Sequence, residues 1–392
     1  MTSEWNHFAL GEITELVIDY RGKTPKKLGG DWCKQGYRAL SAKNIKTGHI
    51  VQAETIRYID ESLYRKWMKD EVQRGDILIT SEAPFGQIFF WDSDEKIVLS
   101  QRLFCVRIKP EYDARFIYYY MTTPEFQSEL DGRATGTTVI GLRQPELMKC
   151  IIRCPEIQEQ KVIAAILSSI DAKIIANEKV NDNLQQQVAA LFANFYDRAE
   201  TEVGFTEIIQ ILGGGTPKTG ESSYWNGNVP FFTPKDVGSP YTLATEKTIT
   251  EEGLAHCNSR LYPVNTVFVT ARGTVGKVGL PGIPMAMNQS CYALVGKDTH
   301  QLLVYFYTLK AVDRLKHKAS GAVFDAITTR DFESEIIMKL SDDDEKAFLD
   351  VAQPIYQAVL SNSIENLRLA ALRDSLLPKL MSGEIDVSGV QL

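Results

Sequence analysis

The chain has 392 residues, of which 44% are hydrophobic and 24% are charged, with a formal net charge of −7. This composition is ordinary for a globular protein of two or more domains, and it lacks the strong positive charge of a simple nucleic-acid binder. No apolar run is long enough to predict a membrane span, no signal-peptide pattern opens the chain, and the six scattered cysteines indicate free thiols in a reducing cytoplasm.

The first 155 residues predict a mixed α/β domain. Strand-like apolar runs cover 76–80, 87–91 and 103–108, and the run 115–121 predicts a short helix. Glycine-rich turns separate these runs. Basic residues gather early in the segment, and they could form either a solvated surface or a binding face.

The segment 156–203 predicts one long helix. It contains no glycine or proline between Pro155 and Gly204, and its apolar residues recur in alternating steps of four and three. This heptad pattern is typical of helices that pack on other helices. The seam consists of Ile163, Leu167, Ile170, Ile174, Asn177, Asn181, Leu184, Val188, Leu191 and Phe195.

The segment 204–340 repeats the first domain. Thr24-Pro25-Lys26 reappears as Thr216-Pro217-Lys218, and Ser41–Ile45 reappears as Thr233–Val237, each 192 residues later. The offset falls to 185 by Ile336-Ile337, the counterpart of Ile151-Ile152. Solenoid repeats are far shorter, so the sequence predicts two copies of one domain. Strands are expected at 266–270 and 292–295, and a helix at 302–309.

The segment 341–392 predicts a second long helix. Its seam lies 185 residues after the first, so Asn362 and Asn366 correspond to Asn177 and Asn181. We expect Pro354 to kink this helix or to mark its start, and Gly383 to end it. Each helix could pack only on its own domain. The matched polar interruptions instead favour an antiparallel coiled coil whose asparagines fix the register, with a pseudo-twofold axis between the copies.

Nothing in the sequence predicts catalysis or a metal site. The five histidines share no ligand spacing, and Cys150 and Cys154 have no histidine near them. The glycine-rich run 215–220 lacks the lysine of a phosphate loop, and neither a dinucleotide fingerprint nor a nucleophile elbow occurs. We therefore expect no cofactor on this chain.

The whole-chain pattern resembles the specificity subunit of a type I restriction–modification system. The resemblance is carried by Leu10–Ile13, Thr24-Pro25, Gly215–Pro217, Ala134–Thr138, Pro155 with Glu159-Gln160, and Leu376–Ile385. The second copy departs from the pattern, because Asp344-Glu345 replaces Glu159-Gln160 and Leu340 replaces Pro155.

The resemblance implies a fold and a function. Target-recognition domains at 1–155 and 204–340 would each read one half of a bipartite double-stranded DNA site, and the helical spacers at 156–203 and 341–392 would set the gap. The subunit would be non-catalytic and cytoplasmic. It would recruit two modification subunits that methylate adenine with S-adenosylmethionine, and two restriction subunits that use ATP and Mg.

Candidate DNA contacts follow from side-chain chemistry. Lysines suit phosphates, whereas arginine, amide and carboxylate groups suit base edges. The phosphate candidates are Lys26, Lys43, Lys218, Lys235, Lys316 and Lys318. The base-reading candidates are Arg38, Asn44, Arg102, Arg133, Asp236, Arg272 and Gln289.

Other interpretations stay open at this point. Residues retained in both copies could hold each domain's own loops, since readers of different half-sites should differ. The chain could also be a coiled-coil scaffold that presents two ligand-binding domains to protein partners. A stand-alone methyltransferase is disfavoured because no cofactor site is visible.

Overall fold

A computed structural model describes residues 5–136, 140–318 and 326–390. The chain forms two compact units. Unit 1 comprises Met1–Ala172 with Ala370–Leu392, and unit 2 comprises Lys173–Leu369. Both contain helices and strands, which confirms the predicted mixed architecture.

The elements of unit 1 are short until its last helix. The strands are β1 (Asn6–Ala9), β2 (Thr14–Asp19), β3 (Tyr37–Leu40), β4 (Ile45–Lys46), β5 (His49–Ile50), β6 (Arg57–Ile59), β7 (Ile77–Thr80), β8 (Ile88–Phe90), β9 (Val98–Leu99), β10 (Leu103–Ile108) and β11 (Ile151–Cys154). The helices are α1 (Leu10–Ile13), α2 (Glu61–Trp67), α3 (Ala114–Met121), α4 (Pro124–Arg133), α5 (Gln144–Leu147) and the long α6 (Ile157–Tyr196), of which residues 157–172 belong to this unit.

Side-chain caps start several of these helices. The carboxylates of Asp60 and Asp113 accept the backbone N–H groups of Leu63 and Phe116, both at 2.8 Å, at the beginning of α2 and α3. These bonds satisfy donors that a helix start leaves without partners. The caps therefore fix where each helix leaves its loop.

Unit 1 contains two main sheets. One has the order β2-β10-β7-β8 with antiparallel pairing, and the other has the order β6-β3-β9, in which β3 and β9 run parallel. Strands β1 and β11 form a separate antiparallel pair, as do β4 and β5. The predicted strands at 76–80, 87–91 and 103–108 are confirmed as β7, β8 and β10.

Unit 2 has matching elements. Its strands are β12 (Thr201–Gly204), β13 (Ile209–Gly213), β14 (Trp225–Phe232), β15 (Tyr241–Thr242), β16 (Lys247–Ile249), β17 (Val267–Thr270), β18 (Val278–Pro281), β19 (Ala286–Met287), β20 (Cys291–Gly296) and β21 (Ile336–Lys339). Its helices are α7 (Phe205–Ile208), α8 (Glu251–Ala255), α9 (Gln301–Lys318), α10 (Thr329–Glu333) and the long α11 (Asp342–Met381), of which residues 370–381 belong to unit 1.

The sheets of unit 2 repeat the topology of unit 1. The order β13-β20-β17-β18-β15 matches β2-β10-β7-β8 with one added edge strand. The sheet β16-β14-β19 matches β6-β3-β9, including its one parallel pair, and β12-β21 matches β1-β11. The internal repeat predicted from the sequence is therefore confirmed at the level of strand order.

The long helices pack antiparallel within each unit. In unit 2, Asn177 contacts Asn366, Asn181 contacts Asn362, and Phe192 packs on Phe348, so the partner number falls as the α6 number rises. In unit 1, Asp171 of α6 pairs with Arg373 of α11 at 2.8 Å. The predicted antiparallel coiled coil and its asparagine register are confirmed.

Each end of the helix pair also enters a domain core. Ile163 and Leu167 of α6 and Leu380 of α11 join the main core of unit 1, and Phe192 and Phe348 join that of unit 2. Packing on a domain and packing on the other helix thus occur together. The heptad seam could not separate these two interpretations, because one apolar stripe serves both.

Two helix bounds differ from the prediction, and a third agrees with it. Helix α6 ends at Tyr196, because Thr201–Gly204 form β12 instead of continuing it. Pro354 does not mark the start of α11, which begins at Asp342; buried Ala352 and Tyr356 hold the helix in the core on either side of the proline. Gly383 ends α11 as predicted, with a left-handed φ of 73°.

Candidate nucleic-acid interface

In unit 1, loops that follow or precede neighbouring strands are joined by backbone hydrogen bonds. Ser100 N–H donates to Leu40 O at 2.8 Å, Ser81 N–H donates to Arg102 O at 2.9 Å, and Leu142 N–H donates to Ser81 O at 3.0 Å. These bonds bring together residues 41–44, 81–86, 100–102 and 140–142, which we call loop cluster 1. Arg21 joins the preceding loop to it by donating to Leu142 O at 3.4 Å.

Unit 2 has the same construction. Asn288 N–H donates to Phe232 O at 3.0 Å, Ala271 N–H donates to Ser290 O at 2.8 Å, and Ile327 N–H donates to Ala271 O at 3.0 Å. These bonds correspond one for one to those of unit 1. Residues 214–218, 233–236, 271–276, 288–290 and 326–327 form loop cluster 2, which Gly215 joins by donating to Met287 O at 3.0 Å.

Side-chain hydrogen bonds close the loop that carries Lys43 and the loop that carries Lys235. In unit 1, Oδ1 of Asn44 accepts from the N–H and the hydroxyl of Ser41 at 3.1 and 2.9 Å. In unit 2, Oδ2 of Asp236 accepts from the N–H and the hydroxyl of Thr233 at 2.7 and 2.6 Å. This local turn gives the N–H of the first loop residue a side-chain partner.

Asn44 and Asp236 do not suit the base-reading role predicted for them, because their side chains are used within the protein. Asn44 is buried, and its amide group also donates to Thr55 at 3.0 Å. The second carboxylate oxygen of Asp236 accepts from Glu246 N–H at 2.9 Å. Both residues shape the loop, which is the alternative that the shared positions had left open.

The same loops expose Lys43 and Lys235. Each lysine lies between the two residues that close its loop, and each is exposed. Lys43 has no ion-pair partner among the described residues, and Lys235 has only a 3.9 Å contact to Glu246 with 81% of its side chain exposed. An exposed cation on a fixed turn suits a phosphate contact.

Further exposed cations include three in or beside loop cluster 2 and one, Lys26, on a separate turn of unit 1. Lys26 lies in a short 3-10 turn and Lys218 in the 214–218 loop, while Arg272 lies in the 271–276 loop. Lys316 lies on α9 beside Gly276, in a cavity of about 470 Å³. The described part of the chain gives none of these four side chains an ion pair.

Other candidates already have partners within the protein. Arg38 on β3 binds Glu95, with Nε at 2.7 Å from Oε1, so the structure does not join it to loop cluster 1. Gln289 accepts a hydrogen bond from Thr216, which ties together two loops of cluster 2. Arg102 binds Glu82 at 2.8 Å and remains half exposed.

Arg133 and Lys318 occupy matching helix ends and form internal ion pairs. Arg133 ends α4 and donates to Glu129 at 2.9 Å, and this hydrogen bond raises the pKa of the guanidinium. Lys318 ends α9 and donates to the buried Glu335, which also lies 4.0 Å from Arg314. These pairings favour a structural role over the proposed DNA contacts.

Several contributors were missed by the sequence analysis. Glu82 carries a carboxylate into loop cluster 1, and Arg21 holds Asp19 through two 2.8 Å bonds while it covers the ring of Phe104. Lys23 donates to Trp67 O at 2.5 Å, and burial followed by repulsion from Lys69 lowers its pKa. Apart from the local Arg21–Asp19 pair, these contacts join residues far apart in sequence, so no local signal marks them.

Some residues used in the sequence analysis cannot be placed. Thr137 and Thr138 lie outside the described residues. Within residues 5–136, 140–318 and 326–390, no group of three or more His, Cys, Asp or Glu side chains could hold a metal ion. The six cysteines are free, and no helix in the described ranges is long and apolar enough to cross a membrane.

The two equivalent halves carry a recognisable family pattern. A family model described as the type I restriction modification DNA specificity domain matches residues 2–186 and again residues 201–345. The chain belongs to this family. The membership confirms the predicted specificity subunit, and such subunits are non-catalytic components of type I systems.

Individual relatives are similar at low identity. The HindI specificity subunit of Haemophilus influenzae is 22% identical over 81% of this chain and 88% of its own length. The MjaIX specificity subunit of Methanocaldococcus jannaschii is 32% identical, but over only 30% of this chain and 29% of that protein. A crystal structure of a type I S subunit from M. genitalium matches with a TM-score of 0.59 at 16% identity, covering 96% of each chain, which supports the fold alone.

Proposed function

We propose that this chain recognises a bipartite double-stranded DNA sequence, with one half-site read by each unit. The observation that carries the proposal is the duplication of the loop cluster, since each copy holds an exposed lysine on an identically closed turn. Two similar surfaces that differ in their remaining side chains can bind two different short sequences. Membership of the DNA specificity family supports the same conclusion.

Binding energy and sequence choice would come from different residues. Lys43 and Lys235 would contact phosphates, which fix position without reporting base identity. Lys26, Lys218 and Lys316 would add sequence-independent attraction. Arg102 and Arg272 would reach base edges, because their guanidinium groups are exposed beside these lysine loops.

The chain would act through partner subunits. We propose that it directs adenine methylation by two modification subunits, and restriction when two restriction subunits are also present. S-adenosylmethionine, ATP and Mg would bind those partners. The expected cellular compartment is the cytoplasm, where these substrates and DNA are available.

Salt dependence tests the DNA proposal directly. The chain, purified with its modification subunit, should bind a duplex that contains both half-sites, and the affinity should fall steeply as salt rises. Mapping methylated adenines in the source genome would return the two half-sites and their gap. Equal binding to every duplex, or no binding, would instead favour a protein scaffold.

The proposed spacer role of α6 and α11 needs a separate test. Deleting residues 174–180 and 363–369 together removes one heptad from each helix and preserves the antiparallel register. The deletion shortens each helix by about 10 Å. We expect both half-sites to be retained and the gap to change. Replacing the same residues with heptads of equal length is the control and should leave the gap unaltered.

A further inference from the structure

At one pair of equivalent positions, loop cluster 1 has an acidic residue and loop cluster 2 has a basic residue. The turn after β7 and the turn after β17 are built alike: Gly86 N–H donates to Thr80 O at 3.1 Å, and Gly276 N–H donates to Thr270 O at 2.8 Å. Both glycines have left-handed φ angles, 69° and 73°. The second residue after each strand is Glu82 in unit 1 and Arg272 in unit 2.

At a second pair of equivalent positions, the arginine is in loop cluster 1 and loop cluster 2 has an uncharged residue. The carbonyl groups of Arg102 and Ser290 accept equivalent hydrogen bonds, from Ser81 and Ala271, so these two residues also correspond. Unit 1 thus has its arginine on the loop before β10, and unit 2 has its arginine on the turn after β17. Each cluster therefore has one arginine beside a pair of neighbouring strands, β7 and β10 in unit 1 and β17 and β20 in unit 2. The arginine adjoins the second strand of the pair in unit 1 and the first in unit 2.

In unit 1 the carboxylate holds the arginine in place. Glu82 Oε1 lies 2.8 Å from Nε of Arg102, whose backbone has a φ of 64°. The closest contact of this ion pair is made by Nε, and 49% of the Arg102 side chain is exposed. A carboxylate facing DNA would repel phosphates, and its pairing with Arg102 offsets that repulsion.

In unit 2 the described residues give the arginine no such support. Arg272 is exposed, and the described residues offer it no ion pair. The residue at the position of Arg102 is Ser290, which carries no charge.

We propose that Arg102 and Arg272 are the specificity-determining residues that each contact a guanine, in different half-sites. Guanine presents two acceptors, O6 and N7, in the major groove, and two guanidinium N–H groups match them. Glu82 is a positioning residue that acts through Arg102. This inference rests on the proposed function and adds the base identity and the division between units.

The two arginines would read their guanines from different strand ends. Neighbouring strands lie about 4.8 Å apart, so exchanging the loop that supplies the arginine moves the guanidinium along the surface. The guanine should consequently occupy different places in the two half-sites relative to the phosphates bound by Lys43 and Lys235. Two units with one topology would in this way select different sequences.

Selection from a randomised duplex library tests the inference. The chain with its modification subunit is compared with Arg102→Ala, Arg272→Ala and Glu82→Gln, and bound sequences are counted. Each arginine variant should lose the preference for guanine at a single position, by about 10-fold or more, in one half-site only. Glu82→Gln should relax the same position as Arg102→Ala, but less.

Matched variants separate this inference from the proposed function. Lys43→Ala and Lys235→Ala should weaken binding to all sequences equally and leave base preferences unchanged. If wild type selects a bipartite sequence but the arginine variants change no guanine position, or both change the same half-site, the inference is overturned while the proposed function stands. A wild-type complex without any sequence preference would overturn both.

Discussion

Asn177 donates a hydrogen bond from Nδ2 to Oδ1 of Asn366 at 2.8 Å, between α6 and α11 within unit 2. One turn further along α6, Asn181 accepts from Asn362, also at 2.8 Å. Asn177 and Asn181 are buried, so the amides are satisfied only when the helices adopt this one register. The asparagines in the heptad seam thus favour one register of α6 against α11, whereas apolar residues alone would allow several registers.

Removing one amide should destabilise the helix pair. Asn177→Ala deletes the donor to Asn366 and to Glu365, which accepts at 2.7 Å, and leaves a partly buried acceptor unsatisfied. We expect a loss of about 1–2 kcal/mol in the free energy of unfolding. Chemical denaturation followed by circular dichroism measures it, with the exposed neighbour variant Glu178→Ala as a control that should change little.

Replacing both partners should have a different effect. The double variant Asn177→Leu/Asn366→Leu removes donor and acceptor together, so its stability should equal or exceed that of wild type. Its register should become less unique, which cross-linking between cysteines introduced on α6 and α11 would detect. A double variant that is less stable than the single one would show that apolar packing cannot replace the amides.

Lysine variants should report phosphate contacts through salt. If Lys43 and Lys235 each neutralise one phosphate, each alanine variant should reduce the slope of log affinity against log salt by about 1. Titrations of the complex with a bipartite duplex at four or more salt concentrations measure the slope. Lys149→Ala, which removes a lysine paired with Glu146 at 2.7 Å, is the control. A slope unchanged by Lys43→Ala would exclude this contact.

Replacing the buried Glu335 should lower the stability of the protein, because its carboxylate pairs with two cations, Lys318 and Arg314. Glu335→Cys leaves Lys318 and Arg314 without their counter-charge. Since 60% of the Lys318 side chain and 41% of the Arg314 side chain are exposed, water screens part of the repulsion. We expect a destabilisation of about 1–3 kcal/mol, below that of a fully buried pair.

Unit 1 supplies the compensating variant for this site. At the positions equivalent to Arg314, Lys318 and Glu335, 185 residues earlier, it has Glu129, Arg133 and Cys150. Adding Arg314→Glu to Glu335→Cys recreates the pair that Glu129 and Arg133 form on α4. Thermal unfolding should show recovery of most of the lost stability. Further destabilisation would mean that the two helix ends are not equivalent.

Periodicity and repetition made the fold predictable from the sequence. The heptad seam located α6 and α11, and apolar runs located β7, β10 and β17, because burial imposes a period on any sequence. The bounds were less accurate. The sequence gives no sign that Thr201–Gly204 pairs with Ile336–Lys339, and a proline is tolerated in α11 because the buried residues around it hold the helix.

The candidate site was predictable only in part. Repetition identified the loops of Lys43 and Lys235, but residues are shared for structural as well as for binding reasons. Ser41 with Asn44 and Thr233 with Asp236 fit a local capping pattern, which could have identified both acceptors as loop-closing groups. In contrast, the pairing of Glu82 with Arg102 depends on β7 lying beside β10, and residues 20 apart in sequence give no hint of it.

The start of α11 should make stability depend on pH. Burial, only partly offset by attraction to Lys339, raises the pKa of the Glu345 carboxyl above its usual value of 4.5. The folded state therefore holds this proton more tightly than the unfolded state, so the contribution of Glu345 to stability is lost as pH rises from about 4.5 through the folded-state pKa. Glu345→Gln removes this loss and should be more stable than wild type at pH 7, with the difference vanishing below pH 4.

Asp343→Asn, at an exposed position in the same turn, is the control. Denaturation midpoints at pH 4, 5.5 and 7 measure the effect, and a constant difference between wild type and Glu345→Gln would contradict it.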